Sequence, residues 1–272
     1  MRKLIRSYST FTRAGLQDMV AYRGSFFAYF LGEVFNCFIM FYIWKAVFNS
    51  NGSDTFMDFS LIDMTIYLFL TNITTYLIST DAAESISGDI QSGDIIMRMI
   101  KPVKVDMSIM FFEFGGKSFL VTFIFLPVIF LLELYKYICT GTFSFQPLCF
   151  FLFLFSIIFS YLLNFYMNLC FGYMAFYLLH YWGIEQFKGA LISLLSGSII
   201  PLAFMPDWAQ SILSYLPFSS LSYTPVMIYM GKYQDGQLVF SIVLQVFWAL
   251  FFYVLSKFIW KMSERRICVQ GG

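Results

Sequence analysis

The sequence predicts an all-α integral membrane protein with six transmembrane helices, and three observations support this fold class. Only 12% of the residues are charged, about half the share that is usual in a soluble domain. Several continuous apolar runs reach the length of about 20 residues that a helix needs to cross a bilayer. These runs do not alternate between polar and apolar residues, as the strands of a membrane β-barrel would.

The apolar runs define the six predicted spans, and together they place the whole chain, residues 1–272, in a single transmembrane domain. The fourth run is longer than a straight crossing requires, so we expect it to tilt or to extend beyond the bilayer. The predicted spans cover residues 24–48, 61–80, 107–134, 147–179, 187–204 and 238–260.

Lys and Arg are concentrated in alternate loops, and this asymmetry predicts the orientation of the chain. Five lie in residues 1–23, three in residues 98–104 and four in residues 257–266. The loop after span 1, residues 49–60, has two Asp and no Lys or Arg. Because basic loops stay on the cytoplasmic side, we expect both termini and the loops after spans 2 and 4 to be cytoplasmic.

Residues 1–23, "MRKLIRSYSTFTRAGLQDMVAYR", precede the first span and lack the apolar core of a cleaved signal peptide. Their apolar side chains fall on roughly one side of a helix. This pattern predicts an amphipathic helix that lies at the membrane interface. The alternative is a basic flank that only orients the protein, and the sequence favours neither.

The segment 205–237, between spans 5 and 6, is too polar to be a seventh span and too apolar to be an ordinary solvated loop. Pro201, Pro206, Pro217 and Pro225 each interrupt a helix. We therefore expect short helices that re-enter the membrane from outside or lie in its outer interface. Backbone of this kind must be buried in protein or line a cavity.

The sequence contains none of the local motifs that carry common enzyme chemistry. It has no phosphate-binding P-loop, no HExxH and no GxSxG, and its five Cys lack the spacing of a metal site. The single histidine, His180, is interpreted as structural. We therefore expect a protein without enzymatic activity of its own, without a metal site and without a cofactor.

Polar side chains inside the spans are the candidates for a transport pathway, because each is costly in lipid. Glu33 lies several residues inside span 1 and has no partner nearby in the sequence. Polar or small residues recur at every fourth position from Ser156 to Gly172 in one stripe, for which helix packing is favoured over a pathway. Glu113 and Lys117 are expected to form an ion pair. The candidate pathway residues are Glu33, Asn36, Thr71, Asn72, Thr75, Asn164 and Asn168.

The segment 87–104, "SGDIQSGDIIMRMIKPVK", places charges and glycines between two apolar runs. Each glycine weakens a helix by about 1 kcal/mol relative to Ala, and Pro102 ends it. The apolar face predicts a short, interrupted amphipathic helix on the cytoplasmic side, which lies on the bilayer or docks into a groove of a partner. A solvated loop is the alternative. The residues of the apolar face are Ile86, Ile90, Met97 and Ile100.

The order of these features resembles that of ABC-2 type transporters, and in particular of bacterial six-span permeases that work with a separate ATPase subunit. The resemblance covers nearly the whole chain. It includes span 1, the segment after span 2, the region around span 5 and the C-terminal "ERRICVQGG". The most specific element is the pattern SG-x-x-x-P-x-x-x-x-P-x-W from Ser196 to Trp208, followed by "LPF".

The resemblance implies roles for two segments. Residues 85–105 would be the coupling helix that sits on the nucleotide-binding subunit, and residues 205–237 would form re-entrant helices that gate the exit. The residues implied to act in coupling to the ATPase are Ser87, Gly88, Asp89, Ile90, Gly93, Asp94, Met97, Arg98 and Lys101. The residues implied to form the outer gate are Pro201, Phe204, Pro206, Trp208, Pro217 and Phe218.

The resemblance also implies the partners and the function. Two permease copies, identical or related, would pair in the bacterial plasma membrane with two ATPase subunits that bind ATP and Mg, and no nucleic acid takes part. The implied function is the ATP-driven export of a hydrophobic or amphipathic substrate such as a drug, a peptide or a lipid. The alternative is an ion-coupled secondary transporter or a channel that uses Glu33, although the two halves of the chain show no convincing internal repeat.

Overall fold

Helices form almost all of the computed structural model, which describes residues 2–51, 55–57, 59–141, 145–178 and 182–264. A π-helical turn, Val121–Phe125, joins two of them, and the strands β1 (Thr55–Phe56) and β2 (Phe59–Ser60) form a short antiparallel hairpin. In chain order the helices are α1 (Arg2–Ala21), α2 (Arg23–Asn51), α3 (Leu61–Ile78), α4 (Ala82–Ser92), α5 (Ile95–Met99), α6 (Val105–Leu120), α7 (Leu126–Thr140), α8 (Pro147–Tyr173), α9 (Trp182–Leu195), α10 (Asp207–Tyr215), α11 (Tyr223–Tyr229) and α12 (Asp235–Ser263).

Five helical stretches in the described part of the chain are long and apolar enough to cross a membrane. They correspond to predicted spans 1, 2, 3, 4 and 6, so the all-helical fold class is confirmed and the chain has the helices of a membrane protein. The stretches are Arg23–Ser50, Leu61–Ser92, Val105–Thr140, Pro147–Phe176 and Asp235–Ser263.

The predicted span 5 differs from the observed helix. α9 has 14 residues, a length of about 21 Å, whereas the hydrocarbon core of a bilayer is about 30 Å thick. The prediction of helix over 187–204 is wrong after Leu195, where the chain turns. Gly197 takes the left-handed conformation that ends helices, with φ of 78°. The Tyr67 hydroxyl donates a hydrogen bond of 2.6 Å to the Gly197 carbonyl oxygen and so fixes this turn.

α8 lies at the centre of the bundle and packs against α3, α4, α11 and α12. Its Phe153 is fully buried in a cluster with side chains of α3 and α7, and Phe165 is buried in a second cluster with side chains of α4, α6 and α12. By contrast, α2 and α12 bury only 11% of their most apolar stretches. Their apolar surfaces are therefore left for lipid or for another protein chain.

α1 packs along α6, and the two helices run in the same direction. The Lys104 backbone N–H donates a hydrogen bond of 3.2 Å to the Tyr8 hydroxyl at one end of this contact. Further along, Gly15 lies against the Phe112 backbone and Gly115 lies against the α1 backbone, and a Cβ atom at either glycine would overlap the facing helix. Glycine is required at this close approach, and α1 is thereby attached to the base of the span formed by α6 and α7.

Candidate functional site

Glu33 on α2 has a hydrogen-bond partner that the sequence did not suggest. Asn72 on α3 donates its Nδ2–H to Glu33 Oε2 over 2.9 Å. In the described part of the chain, no Lys or Arg nitrogen lies within 4.0 Å of this carboxylate. The carboxylate therefore lies within a candidate span, Arg23–Ser50, with an amide rather than a cation as its hydrogen-bond donor.

Two cavities lie on either side of the Glu33–Asn72 pair. The first has a volume of about 450 Å³ and lies between α2, α3 and the chain from the π-helical turn to α7. The second has a volume of about 360 Å³ and lies between α2, α3 and the end of α9. Glu33, Cys37, Asn72 and Tyr76 line both cavities, so the same carboxylate faces an apolar chamber and a polar one.

The second cavity contains four of the seven predicted pathway residues. Glu33, Asn36, Asn72 and Thr75 line it, together with three serines, Ser79, Ser193 and Ser198. Thr71 is buried and lines neither cavity. The arrangement brings polar groups from α2, α3 and the end of α9 to one chamber.

Asn164 and Asn168 lie apart from both cavities, in a buried network on α8. Asn164 donates a hydrogen bond of 2.8 Å to the carbonyl oxygen of Ile78, at the end of α3. Asn168 donates one of 2.9 Å to Asn164 Oδ1 and accepts one of 2.5 Å from Lys188 Nζ on α9. These bonds tie α8 to α3 and α9, which favours the packing role for this stripe.

A second buried network connects α8 to α12 and to the segment after α10. Gln245 is fully buried, accepts a hydrogen bond of 2.9 Å from Ser156 and donates one of 2.7 Å to Ser160. Both Gln245 and Ser160 donate to the carbonyl oxygen of Ser220 over 2.8 Å. The sequence placed Ser156 and Ser160 in the packing stripe of α8 but gave no role to Gln245, whose one signal is that it interrupts the apolar run of α12.

Glu113 and Lys117 on α6 hold the bend between α3 and α4. The expected ion pair between them is wrong, because their charged groups are not within 4.0 Å of each other in the described structure. Lys117 Nζ instead donates to the carbonyl oxygens of Leu77 and Ser79, over 2.8 and 2.5 Å. Glu113 Oε1 accepts a hydrogen bond of 2.6 Å from the Thr80 hydroxyl. We call these five residues the bend clasp.

The coupling segment, predicted as a short and interrupted helix, forms two short helices, α4 and α5. α4 continues through Gly88 and ends at Gly93, whose φ of 84° is left-handed. An ion pair between Asp89 and Arg98 then joins α4 to α5. The two glycines, both expected to weaken the helix, thus have different roles, since Gly88 lies within α4 and only Gly93 ends it.

The predicted apolar face of this segment is divided between two surroundings. Ile86 is fully buried against α8, whereas the side chains of Met97 and Ile100 are 64% and 72% exposed. α4 is therefore anchored in the bundle while α5 presents apolar side chains outward. Of the predicted coupling residues, Ser87 is buried, Asp89, Ile90 and Arg98 are half-buried, and Gly88, Gly93, Asp94, Met97 and Lys101 are exposed.

The predicted gate residues occupy a 3₁₀ turn, a short helix and an irregular segment. Phe204 packs in an aromatic cluster of tilted and edge-to-face rings, with its ring centroid 5.0 Å from that of Trp44 and 5.3 Å from those of Phe56 and Phe59. This cluster joins the end of α2 to the hairpin. Pro201 and Pro217 are buried, Phe204 and Phe218 are half-buried, and Pro206 and Trp208 are exposed.

Several residues named in the sequence analysis lie outside the described residues. They are His180, and most of the C-terminal motif "ERRICVQGG" from residue 265 onward.

The fold and the cavities define a multi-pass helical membrane protein with polar groups gathered between its helices. The profile of the ABC-2 family transporter proteins matches residues 34–271, which is most of the chain. The chain therefore belongs to the ABC-2 transporter family, as its sequence features suggested, and is a membrane component of an ABC-type transporter. No curated protein matches the sequence significantly.

Proposed function

We propose that the chain is the permease subunit of an ATP-driven ABC-2 exporter, and that a separate ATPase subunit supplies the energy. The observation that carries the proposal is the structure of α4 and α5. α4 is buried against α8 at Ile86, while Met97, Ile100 and Lys101 on the next turns are exposed. A partner that binds these side chains would act on a segment that is firmly attached to the membrane helices.

The proposed membrane arrangement has six crossings, with both termini and α4–α5 on the cytoplasmic side of a bacterial plasma membrane. α9 and the turns up to Phe204 would form the fifth crossing. Segment 205–237 would be re-entrant, and α1 would lie beside α6 at the cytoplasmic end of the third crossing, rather than flat in the interface as the sequence predicted. The hydrogen bonds from Ser160 and Gln245 to Ser220 support re-entry, because Ser160 lies midway along α8 and Ser220 is buried beside it.

The proposed pathway is the second cavity, closed on the outside by the gate residues around Phe204. Glu33, Asn36, Asn72 and Thr75 provide its polar groups. The exposed apolar surface of α2 supports pairing with a second permease copy, identical or related, which would complete the wall. The aromatic and weakly charged spans favour a hydrophobic or amphipathic substrate over a strongly charged one.

The test is reconstitution of the purified chain in liposomes, with and without its ATPase. We expect no ATP hydrolysis by this chain alone, because nucleotide binding is assigned to the partner, and outward transport only when both polypeptides are present. Robust ATP hydrolysis by this chain alone would contradict the proposal. Met97→Asp is the control, because a charge on the exposed surface of α5 should prevent the two polypeptides from docking productively.

A second candidate is an ion-coupled transporter or channel in which Glu33 binds the coupling ion. It is favoured by one observation, the absence of a Lys or Arg nitrogen within 4.0 Å of this carboxylate among the described residues. Transport that persists without ATP and collapses with the ion gradient would select this candidate. Transport that requires ATP and is insensitive to the gradient would select the exporter.

A further inference from the structure

The first cavity has the size and the walls of a binding site for an apolar molecule. Its volume of about 450 Å³ lies within the range of roughly 300–1,000 Å³ that is usual for ligand pockets. Aromatic and aliphatic side chains of α2, α3 and α7 form most of the lining. Phe38 and Leu131 in this lining are 50% and 58% exposed, so the cavity opens on the side of the helix bundle.

One charged group faces this apolar chamber. Glu33 is the only ionisable carboxylate or amine among the described lining residues, and Asn72 occupies one of its two oxygens. The Thr65 hydroxyl is already used, since it donates a hydrogen bond of 2.7 Å to the Leu61 carbonyl oxygen. A carboxylate at this depth is costly unless an opposite charge approaches it, and the cavity leaves room for that charge to come from a ligand.

The aromatic lining adds to the attraction for a cation. The rings of Phe38 and Phe69 meet edge to face with centroids 6.3 Å apart, and Phe30, Phe41 and Tyr76 line the same chamber. The faces of aromatic rings attract cations, and groups of such rings bind quaternary ammonium ligands. Charge and ring surface therefore favour the same class of ligand.

The backbone beside the cavity is also unusual. The π-helical turn Val121–Phe125 interrupts the long helix formed by α6 and α7, and Ile124 from this turn lines the chamber. Such turns insert an additional residue into a helix and occur frequently at functional sites. This observation is independent of the charge on Glu33.

From these four observations we propose that the first cavity binds a lipophilic monocation, an organic ammonium or phosphonium on an apolar body, with Glu33 as its counter-charge. The ligand would enter from the side of the bundle. Because Glu33 lines both cavities, a cation bound in the first cavity would lie beside the proposed pathway in the second. The inference deepens the proposed function by naming a class of substrate, and it rests on that function for the transport step but not for binding.

The test measures equilibrium binding of tetraphenylphosphonium to the purified full-length chain in phosphatidylglycerol nanodiscs, with empty nanodiscs as background. Tetraphenylborate, an anion of nearly the same shape, is the matched probe. We expect saturable binding of the cation and none of the anion. Absence of saturable cation binding, or equal binding of both ions, would overturn the proposal.

Variants locate the bound cation. Glu33→Gln should weaken binding about tenfold or more, which corresponds to about 1.4 kcal/mol. Phe69→Leu should also weaken it, because Phe69 lines only the first cavity, whereas Phe130→Leu, the same change at an exposed position of α7 outside both cavities, should not. Unchanged affinity in both Glu33→Gln and Phe69→Leu would overturn the proposal. If Glu33→Gln fails to fold, the Phe69 and Phe130 variants decide.

The binding experiment can refute this inference without refuting the proposed function. Loss of binding with Asn36→Ala but not with Phe69→Leu would place the cation in the second cavity and overturn this inference alone, since Asn36 lines only that cavity. ATP-driven export by a chain that shows no saturable cation binding would do the same. Repeating the measurement with an added lipid of net positive charge tests the source of the cation, because competition would favour a cationic lipid as the ligand and no competition would favour a free molecule.

Discussion

Lys117 Nζ donates a hydrogen bond of 2.8 Å to the carbonyl oxygen of Leu77, and so a side chain of α6 satisfies the end of α3. The last carbonyl groups of a helix have no partner within the helix. Here the carbonyl of Ser79 is bound by the same ammonium group and that of Ile78 by Asn164 of α8. Two other membrane helices therefore hold the point at which α3 gives way to α4.

The bend clasp leads to a first prediction, for Lys117→Met. The change leaves the carbonyl groups of Leu77 and Ser79 without their donor. Leu77 is buried whereas Ser79 is exposed, and one unsatisfied buried group costs about 1–3 kcal/mol. We expect a lower melting temperature in detergent and faster proteolysis near residues 79–81. Lys261→Met, the same replacement at an exposed position, is the control. Equal melting temperatures for the two variants would contradict the role given to Lys117.

A second prediction concerns the exposed part of the coupling segment. Met97→Asp should leave the fold intact, because the Met97 side chain is 64% exposed, yet it should abolish coupling of ATP hydrolysis to transport in the two-component liposomes. Met97→Leu keeps the apolar surface and is the control. The buried Ile86 offers the contrast, since Ile86→Asp should prevent folding. Normal transport by the Met97→Asp protein would show that no partner uses this surface.

A third prediction compares two adjacent glycines on α6. Gly115→Ala should separate α1 from α6, because the new Cβ would overlap the backbone of Thr12. Gly116→Ala should be tolerated, since the nearest atom to its Cβ is the Met19 methyl carbon at 3.6 Å. The two variants are compared by the melting temperature of the protein and by the protease sensitivity of its first 22 residues. The idea fails if both alanines behave alike.

A fourth prediction tests the buried network around Gln245. Gln245→Leu removes the donor to Ser160 and to the Ser220 carbonyl and the acceptor for Ser156. We expect a loss of stability of at least about 1–3 kcal/mol, the cost of one unsatisfied buried group, seen as a lower melting temperature. Gln237→Leu makes the same change at an exposed position of α12 and should have little effect. A similar small effect at both positions would argue against the network.

The spans were predictable where a signal is local to the sequence. α3 begins at Leu61, as predicted, because Ser60 and Asp63 form a capping box, with the Asp63 N–H donating to Ser60 Oγ over 3.1 Å. The end of α9 was not predictable in this way. Its apolar run continues past Leu195, but a hydroxyl from Tyr67, 130 positions away, secures the turn at Gly197.

The residues of the candidate site could be predicted from the sequence, but their hydrogen-bond partners could not. The cost of polar groups in lipid selects Glu33 and Asn72 from sequence alone, yet they meet only because α2 and α3 pack together. Glu113 and Lys117 show the opposite case. Their spacing favours an ion pair on one helix, but each finds better partners at the unsatisfied end of α3 and the start of α4.

The π-helical turn Val121–Phe125 determines which side chains of α7 lie on the same face as those of α6. Each residue advances a regular helix by about 100°, and the additional residue of the turn shifts everything that follows by about that angle. Before the turn, Gly115 and Lys117 face α1 and the end of α3, and after it Val128 and Leu132 face the first cavity. A deletion of one residue here would restore an unbroken helix and turn one of these two faces away from its neighbours. The number of residues in this span is therefore as constrained as their identity.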